Sequence, residues 1–309
     1  RFFLGINKGT YFLVLDMFLK MFATKDILPH IGNPLLETEE KKTLNVYTVG
    51  KSVAFNGNDA ENLVSPRDSI RTLHAFLYTN LAMSFLIYHE YCHILRGHLG
   101  YAFNKKNNIS WDEFDLQKPR RGVTPAISQT LEMDADSFAL NKCFDYAKLA
   151  IAKKIVLHEA EAKFVYCDWP TFLDHWAFSV SALLRLMGFE VEEILLLKDR
   201  SHPPPLIRRT MILSGFATFA PKIFKPNFAS EFINKVVSTA FDAETAFSKV
   251  TYQMPAWEAN KTVVDEEHEK YMIGILKNWD NSRPLIEPYS FIKLPPPKTA
   301  EDLGPYFDQ

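Results

Sequence analysis

His89-Glu90-Tyr91-Cys92-His93 is the stretch on which the reading of this chain turns. On an α-helix, His89 and His93 lie one turn apart and project from one face. Zinc takes imidazole nitrogens at about 2.0–2.1 Å, and that spacing supplies two of them without bending the backbone. Glu90, beside His89, can reach a metal-bound water without itself ligating the metal. Around the motif Ile87, Tyr88, Tyr91, Cys92, Ile94 and Leu95 are uncharged, the composition of a helix buried at the centre of a domain. Burying two imidazoles and a carboxylate without partners is costly, so the pattern argues for a bound ion.

A zinc held by two histidines needs a third protein ligand and keeps one position for water. The segment Leu131-Glu132-Met133-Asp134-Ala135-Asp136-Ser137-Phe138-Ala139 offers it. Glu132 and Asp136 are four apart and share a helix face. Glu132 can be the third ligand. Asp136, one turn on, can accept the remaining N–H of a ligand histidine, His89 being the best placed, and so fix its tautomer.

Both segments sit on predicted helices. Ser65-Pro66-Arg67-Asp68 combines a capping residue, a first-turn proline and an early acid, which predicts a helix continuing, with a break, to about Gly100. Thr124-Pro125 opens another that runs to about Ala150. Further helices are predicted near 151–165, 170–187, 204–219, 227–249 and 257–278. Leu44 to Asn56, rich in β-branched and aromatic residues and interrupted by Gly50-Lys51, predicts a hairpin or two short strands. From Asn281 onward, Pro284, Pro288 and Pro295-Pro296-Pro297 predict an extended tail lying on the domain. The expected architecture is mainly α (α+β) with a small sheet: one domain over 1–280, its metal core at about 65–145 and accessory helices over 150–280, then a Pro-rich tail over 281–309.

HEYCHILRGH followed by EMDADSFAL resembles the gluzincin type of zincin metallopeptidase, which pairs HExxH with a later ExxxD on a second helix. The pattern of HExxH, a nearby Gly-His and an E-x-x-x-D-x-x-A helix is similar to that of the HtpX and CAAX-prenyl endopeptidase group, with Gly97-His98 and Ala135 to Ala139 at the matching places. The phage-exclusion Lit peptidases of bacteria have a similar arrangement. The resemblance implies a minimal gluzincin core with Glu132 as third zinc ligand and Asp136 supporting a ligand histidine. Ser201-His202-Pro203-Pro204-Pro205-Leu206-Ile207-Arg208-Arg209 resembles the downstream His-Pro segment of that group. This implies a role for His202 in steadying the oxyanion and for Arg208 or Arg209 in anchoring the loop. The likeness covers residues 85–140 well and 201–209 weakly, and it departs from the integral-membrane members because no spanning segment is present.

The function expected is zinc-dependent endoproteolysis of a protein or peptide. Zinc and Glu90 would activate water, Glu90 acting as general base. Zinc with His202 or an unidentified Tyr would hold the oxyanion. Substrate would lie extended along Val46–Phe55. The alternative is a zinc-binding regulator or scaffold on a peptidase-derived fold, for which Glu90 would have no use.

The remaining composition restricts the partners. A net charge of -2 over 309 residues gives no electrostatic reason to expect nucleic acid or an acidic membrane surface. The apolar run Tyr11 to Phe22 is too short for a span and contains Asp16 and Lys20. Cys92, Cys143 and Cys167 contain no CxxC pair, and three is an odd number, so buried, reduced cysteines in a cytoplasmic protein are expected. His98 follows His93 by five, which misses the metzincin spacing, and reads as a structural helix-end group.

Overall fold

The structure, a computed structural model, describes residues 4–37, 47–49, 52–54, 64–105, 123–187, 202–251 and 266–296. Among these the chain is mainly helical. In order come α1 (Lys8–Phe22), α2 (Ser69–Leu95), α3 (His98–Lys105), α4 (Pro125–Ile151), α5 (Glu159–Phe164), α6 (Trp169–Met187), α7 (Pro205–Ile223), α8 (Pro226–Thr251) and α9 (Glu266–Ile286). Three residues of β1 (Tyr47–Val49) pair antiparallel with three of β2 (Ser52–Ala54), Tyr47 opposite Ala54. This ladder is too small to form a layer, so the architecture is helix on helix. Gly50-Lys51 and the residues flanking the ladder lie outside the described residues, as does most of the Val46–Phe55 segment expected to hold substrate.

The helix carrying HEYCH starts later than its sequence signals suggest. Asp68, not Ser65, is the cap: its Oδ1 accepts from the Arg71 amide at 2.9 Å. The preceding amides of Arg67 and Asp68 donate instead to the Glu37 carboxylate, each at 3.0 Å, which holds Pro66 outside the helix. Arg71 is fully buried and donates five hydrogen bonds to carbonyls between Phe22 and Ile31. It thereby ties the turn after α1 to the start of α2. The apolar run within α1 tolerates Asp16 and Lys20 because they pair one turn apart at 2.5 Å. No helix among the described residues is long and apolar enough to cross a membrane. The second predicted start holds: Thr124 caps α4, its Oγ1 accepting from the Ile127 amide, with Pro125 in the first turn.

α2 and α4 form the central pair and run antiparallel. Arg96 at the end of α2 meets Asp134 near the start of α4, while Leu81 and Cys143 share a cavity further along. α1, α6 and α7 pack around the pair and α8 packs on those three, with Phe18, Phe22, Tyr78, Phe85, Phe144 and Trp176 in one continuous core. The expectation that α2 is buried on all sides is corrected: Ile87 and Tyr91 are 40% and 43% exposed, so one face of the motif helix reaches the surface. Cys92 and Cys143 are buried free thiols, whereas Cys167 is exposed, against expectation.

The tail boundary is also corrected. α9 continues past Asn281, through Pro284, to Ile286. Met272, Ile275, Leu276, Trp279 and Ile286 are buried at helical spacing, against Leu131 and Met133 of α4 and Tyr101 of α3. That apolar face outweighs the one backbone bond Pro284 removes. After a 3₁₀ turn (Glu287–Tyr289) the chain lies on the corner between α2 and α3. The Phe291 amide donates to the Leu95 carbonyl at 2.8 Å, the Ser290 hydroxyl reaches the same oxygen at 3.2 Å, and Leu294 is buried. Residues 297–309, the rest of the expected tail, lie outside the described residues.

The corner depends on Gly97, whose φ is +77°. A Cβ there would stand 2.5 Å from the Tyr289 carbonyl carbon and 2.6 Å from the Ser290 nitrogen. Gly97→Ala is therefore expected to lower unfolding stability by about 2 kcal/mol or more in urea titration. Gly274→Ala, in mid α9 with no atom within 4 Å of the added methyl, is expected to raise it by up to about 1 kcal/mol. Equal effects from the two changes would contradict this account of the corner.

Candidate metal centre

His89 and His93 are 0% and 1% exposed, and their Nε2 atoms lie 3.2 Å apart. Glu132 of α4, 0% exposed, brings Oε2 to 3.1 Å from His89 Nε2 and Oε1 to 3.6 Å from His93 Nε2. Tetrahedral ligands at zinc bond lengths stand about 3.3 Å from one another. The triangle formed by these three side chains, with one Glu132 oxygen toward each imidazole, has separations of about that size, which suit such an ion. A fourth group joins from the segment before α7: His202 is buried, with Nε2 at 3.6 Å from Glu132 Oε2.

The outer nitrogens of both imidazoles are engaged away from this triangle. His89 Nδ1 lies 2.8 Å from Asp136 Oδ1. Asp136 also receives a fork of donors from Arg208 on α7, Nε to Oδ2 at 2.9 Å and Nη2 to Oδ1 at 2.8 Å. A carboxylate so held accepts from the imidazole, which places the His89 proton on Nδ1 and leaves the Nε2 lone pair facing Glu132.

A second chain of groups does the same for His93. Its Nδ1 lies 2.9 Å from His98 Nδ1, and His98 Nε2 lies 3.2 Å from Asp134 Oδ2. Arg96 donates to the other oxygen of Asp134. Burial alone would raise the Asp134 carboxyl, but Arg96 and His98 together hold it below the usual carboxylate range. Burial pushes the His98 imidazole down, against the pull of Asp134, which keeps it neutral. Neutral His98 donates from Nε2 to Asp134 and accepts at Nδ1 from His93, so the His93 Nε2 lone pair also faces inward. Two imidazole lone pairs and a carboxylate converging within 3.6 Å repel one another unless a proton or a metal cation lies between them.

The structure thus brings together His89, His93 and Glu132, sets Asp136 on His89, and places His202 at their edge. It also separates the two candidate arginines. Arg208 clamps Asp136, whereas Arg209 pairs with Glu244 at 3.0 Å, which Arg185 holds from the other side at 2.8 Å. Glu90 is half-buried on α2 directly after His89.

Two members escaped the sequence reading. His98 reads as a helix-end group, but the left-handed turn at Gly97 folds it back onto His93 as the first residue of α3. Asp134 lies two residues from both Glu132 and Asp136, on the helix face opposite them, and its spacing alone assigns it no role. α4 is buried all round from Ser128 to Asp136, so Asp134 recruits Arg96 and His98 instead. A signal existed: an acid in an otherwise apolar segment needs a named partner. Cys92, His98 and Asp134 also lie close enough together for an ion. Arg96 already supplies the positive charge there, and burial pushes the Cys92 thiol well up, which keeps it protonated.

No protein-family model, curated protein or solved structure matches the chain.

If the outer hydrogen bonds hold the imidazoles in place, Asp136→Ala and His98→Ala should each weaken zinc binding by about 10- to 100-fold in competition with a chromogenic chelator. His202→Ala, whose nitrogen stands beside the triangle, should leave it unchanged. Equal affinity across all three variants would break the link between these contacts and the metal.

Proposed function

We propose that the chain is a zinc-dependent endopeptidase of the gluzincin kind, with a core like that of the HtpX and CAAX-prenyl endopeptidase group. His89, His93 and Glu132 would hold the ion. One observation carries the reading: the two Nε2 atoms stand 3.2 Å apart, one oxygen of Glu132 lies 3.1 Å from His89 Nε2 and the other 3.6 Å from His93 Nε2, and both Nδ1 atoms are hydrogen-bonded outward. That arrangement is what a tetrahedral divalent ion requires and what a purely structural polar cluster does not.

When bound, the ion supplies Lewis acidity toward a carbonyl oxygen and acidifies water. The chain's own residues account for the rest. Glu90, adjacent to His89 on α2, accepts a proton from the attacking water at its carboxylate and returns it to the amide nitrogen that leaves. His202 Nε2 lies beside Glu132 and donates to the carbonyl oxygen as it gains charge. Arg208 and Asp136 hold the His89 ring, so that turnover does not rotate its nitrogen away. The substrate is a protein or peptide, and the single domain needs no membrane anchor for this chemistry. Three free cysteines, two of them buried, support a cytoplasmic setting.

The test separates catalysis from metal storage. Glu90→Gln should retain one zinc per chain while hydrolysis of a quenched peptide library falls by about 100- to 10,000-fold. His93→Ala should lose both. If wild-type chain with one bound zinc cleaves nothing, the regulator or scaffold reading takes over; if Glu90→Gln cleaves normally, the base is another group.

A further inference from the structure

A second concavity of about 200 Å³ opens on the α2–α4 seam, toward the N-terminal half of α2. Four aromatic rings line it, Tyr88 from α2, Tyr146 from α4, Tyr166 from the segment after α5, and Phe172 from α6, beside aliphatic residues and the polar Asn80 and Ser84. The Tyr146 and Tyr166 rings meet at 71° with centroids 5.5 Å apart, as two adjoining walls of a box would. Tyr166 in turn lies nearly flat on Phe172, at 5.5 Å and 22°, which fixes its plane. Glu161 of α5 also lines the space.

The charge of this cavity has one sign. No Lys, Arg or His lines it. The nearest cation in sequence, Lys163, sits over the Phe164 ring at 4.9 Å from its centroid. Among the described residues, the Glu161 carboxylate forms no ion pair and no side-chain hydrogen bond, and neither do the hydroxyls of Tyr88, Tyr146 and Tyr166. Burial, followed by nearby thiol, phenol and carboxylate groups, pushes the Tyr166 hydroxyl up. Cys143 at the floor is pushed by burial to about 12. The thiol and this phenol are therefore neutral, and the one carboxylate in the lining is that of Glu161.

Such a cavity selects its ligand by elimination. An anion meets Glu161 and the negative faces of the rings. A bare metal ion finds a single carboxylate, with Asn80, Ser84 and the phenols as neutral donors, too little negative charge for a hard cation. A wholly apolar group leaves Glu161 facing it. An organic ammonium is drawn by the ring quadrupoles and by the carboxylate together, and the volume accepts a head of trimethylammonium size. We propose that this cavity binds a quaternary ammonium group, seated against Tyr88, Tyr146 and Tyr166, with Glu161 as its counter-ion. The inference stands apart from the metal centre and does not require it.

The experiment is calorimetric titration of the full chain with choline, with its neutral carbon isostere (a tert-butyl group in place of trimethylammonium) and with a short peptide bearing trimethyllysine. Choline should bind saturably, and the isostere about tenfold more weakly or worse. Glu161→Gln and Tyr146→Leu should each weaken choline by about tenfold, and Tyr146→Phe should bind as the parent does. His93→Ala, which tests the zinc reading, should leave choline binding untouched. A peptide that binds more tightly than choline would identify a methylated side chain as the source, and equal affinity a free amine. Equal binding of choline and isostere, no saturation by either ammonium, or full affinity in Glu161→Gln would each overturn the proposal.

Discussion

Three carboxylates within five residues of a fully buried helical segment set the terms for the rest of this molecule. Glu132, Asp134 and Asp136 lie on α4 where every residue from Ser128 to Asp136 is buried. A carboxylate removed from water must find positive charge and donors, or give up its own charge. Asp136 draws in Arg208 from α7, and Asp134 draws in Arg96 from the end of α2. Glu132 faces the imidazoles of His89, His93 and His202. α4 is thus the organiser, and α2, α3 and α7 converge on it because each brings a group that one of its acids needs.

This arrangement separates two roles that are easily merged. The guanidinium groups of Arg96 and Arg208 stabilise acids whose work is to orient imidazoles; breaking either pair would leave a buried charge uncompensated. The Arg185–Glu244–Arg209 cluster ties α6, α7 and α8 together in the same way, away from the triangle. Arg208 and Arg209 are adjacent in sequence and point to opposite partners, so α7 is fixed at once to the helices that carry His89 and Glu132 and to the helices behind them. The position of His202, just before α7, follows from that double attachment.

How much of this could be read from the residues alone depended on range. His89 and His93 declare themselves because their relation is local, one helical turn. The Glu132–Asp136 pair is equally local, and Thr124-Pro125 marks the start of its helix through a short-range cap. Asp134 was passed over and His98 read only as a helix-end group because their meaning depends on burial and on a left-handed turn, neither of which periodicity reports. The start of α2 was displaced by Glu37, some thirty residues earlier in the chain, and α9 outlasted Pro284 because of packing on α4 and α3. In each case a long-range contact overrode a correct local preference. Arg208 and Arg209 could not be separated without knowing which face of α7 meets α4.

The way the C-terminal segment sits on the Leu95 carbonyl has a consequence for biosynthesis. The contact joins residues 195 positions apart, while Glu132 follows His89 by 43 positions and Arg208 follows Asp136 by 72. At elongation rates of about 5–20 residues per second, the histidine pair emerges from the ribosome seconds before its carboxylate. It waits longer still for the arginine that orients it and for the strap across its corner. A nascent chain therefore passes through a stage with two imidazoles on one helix and no carboxylate facing them, so the cluster closes late in translation.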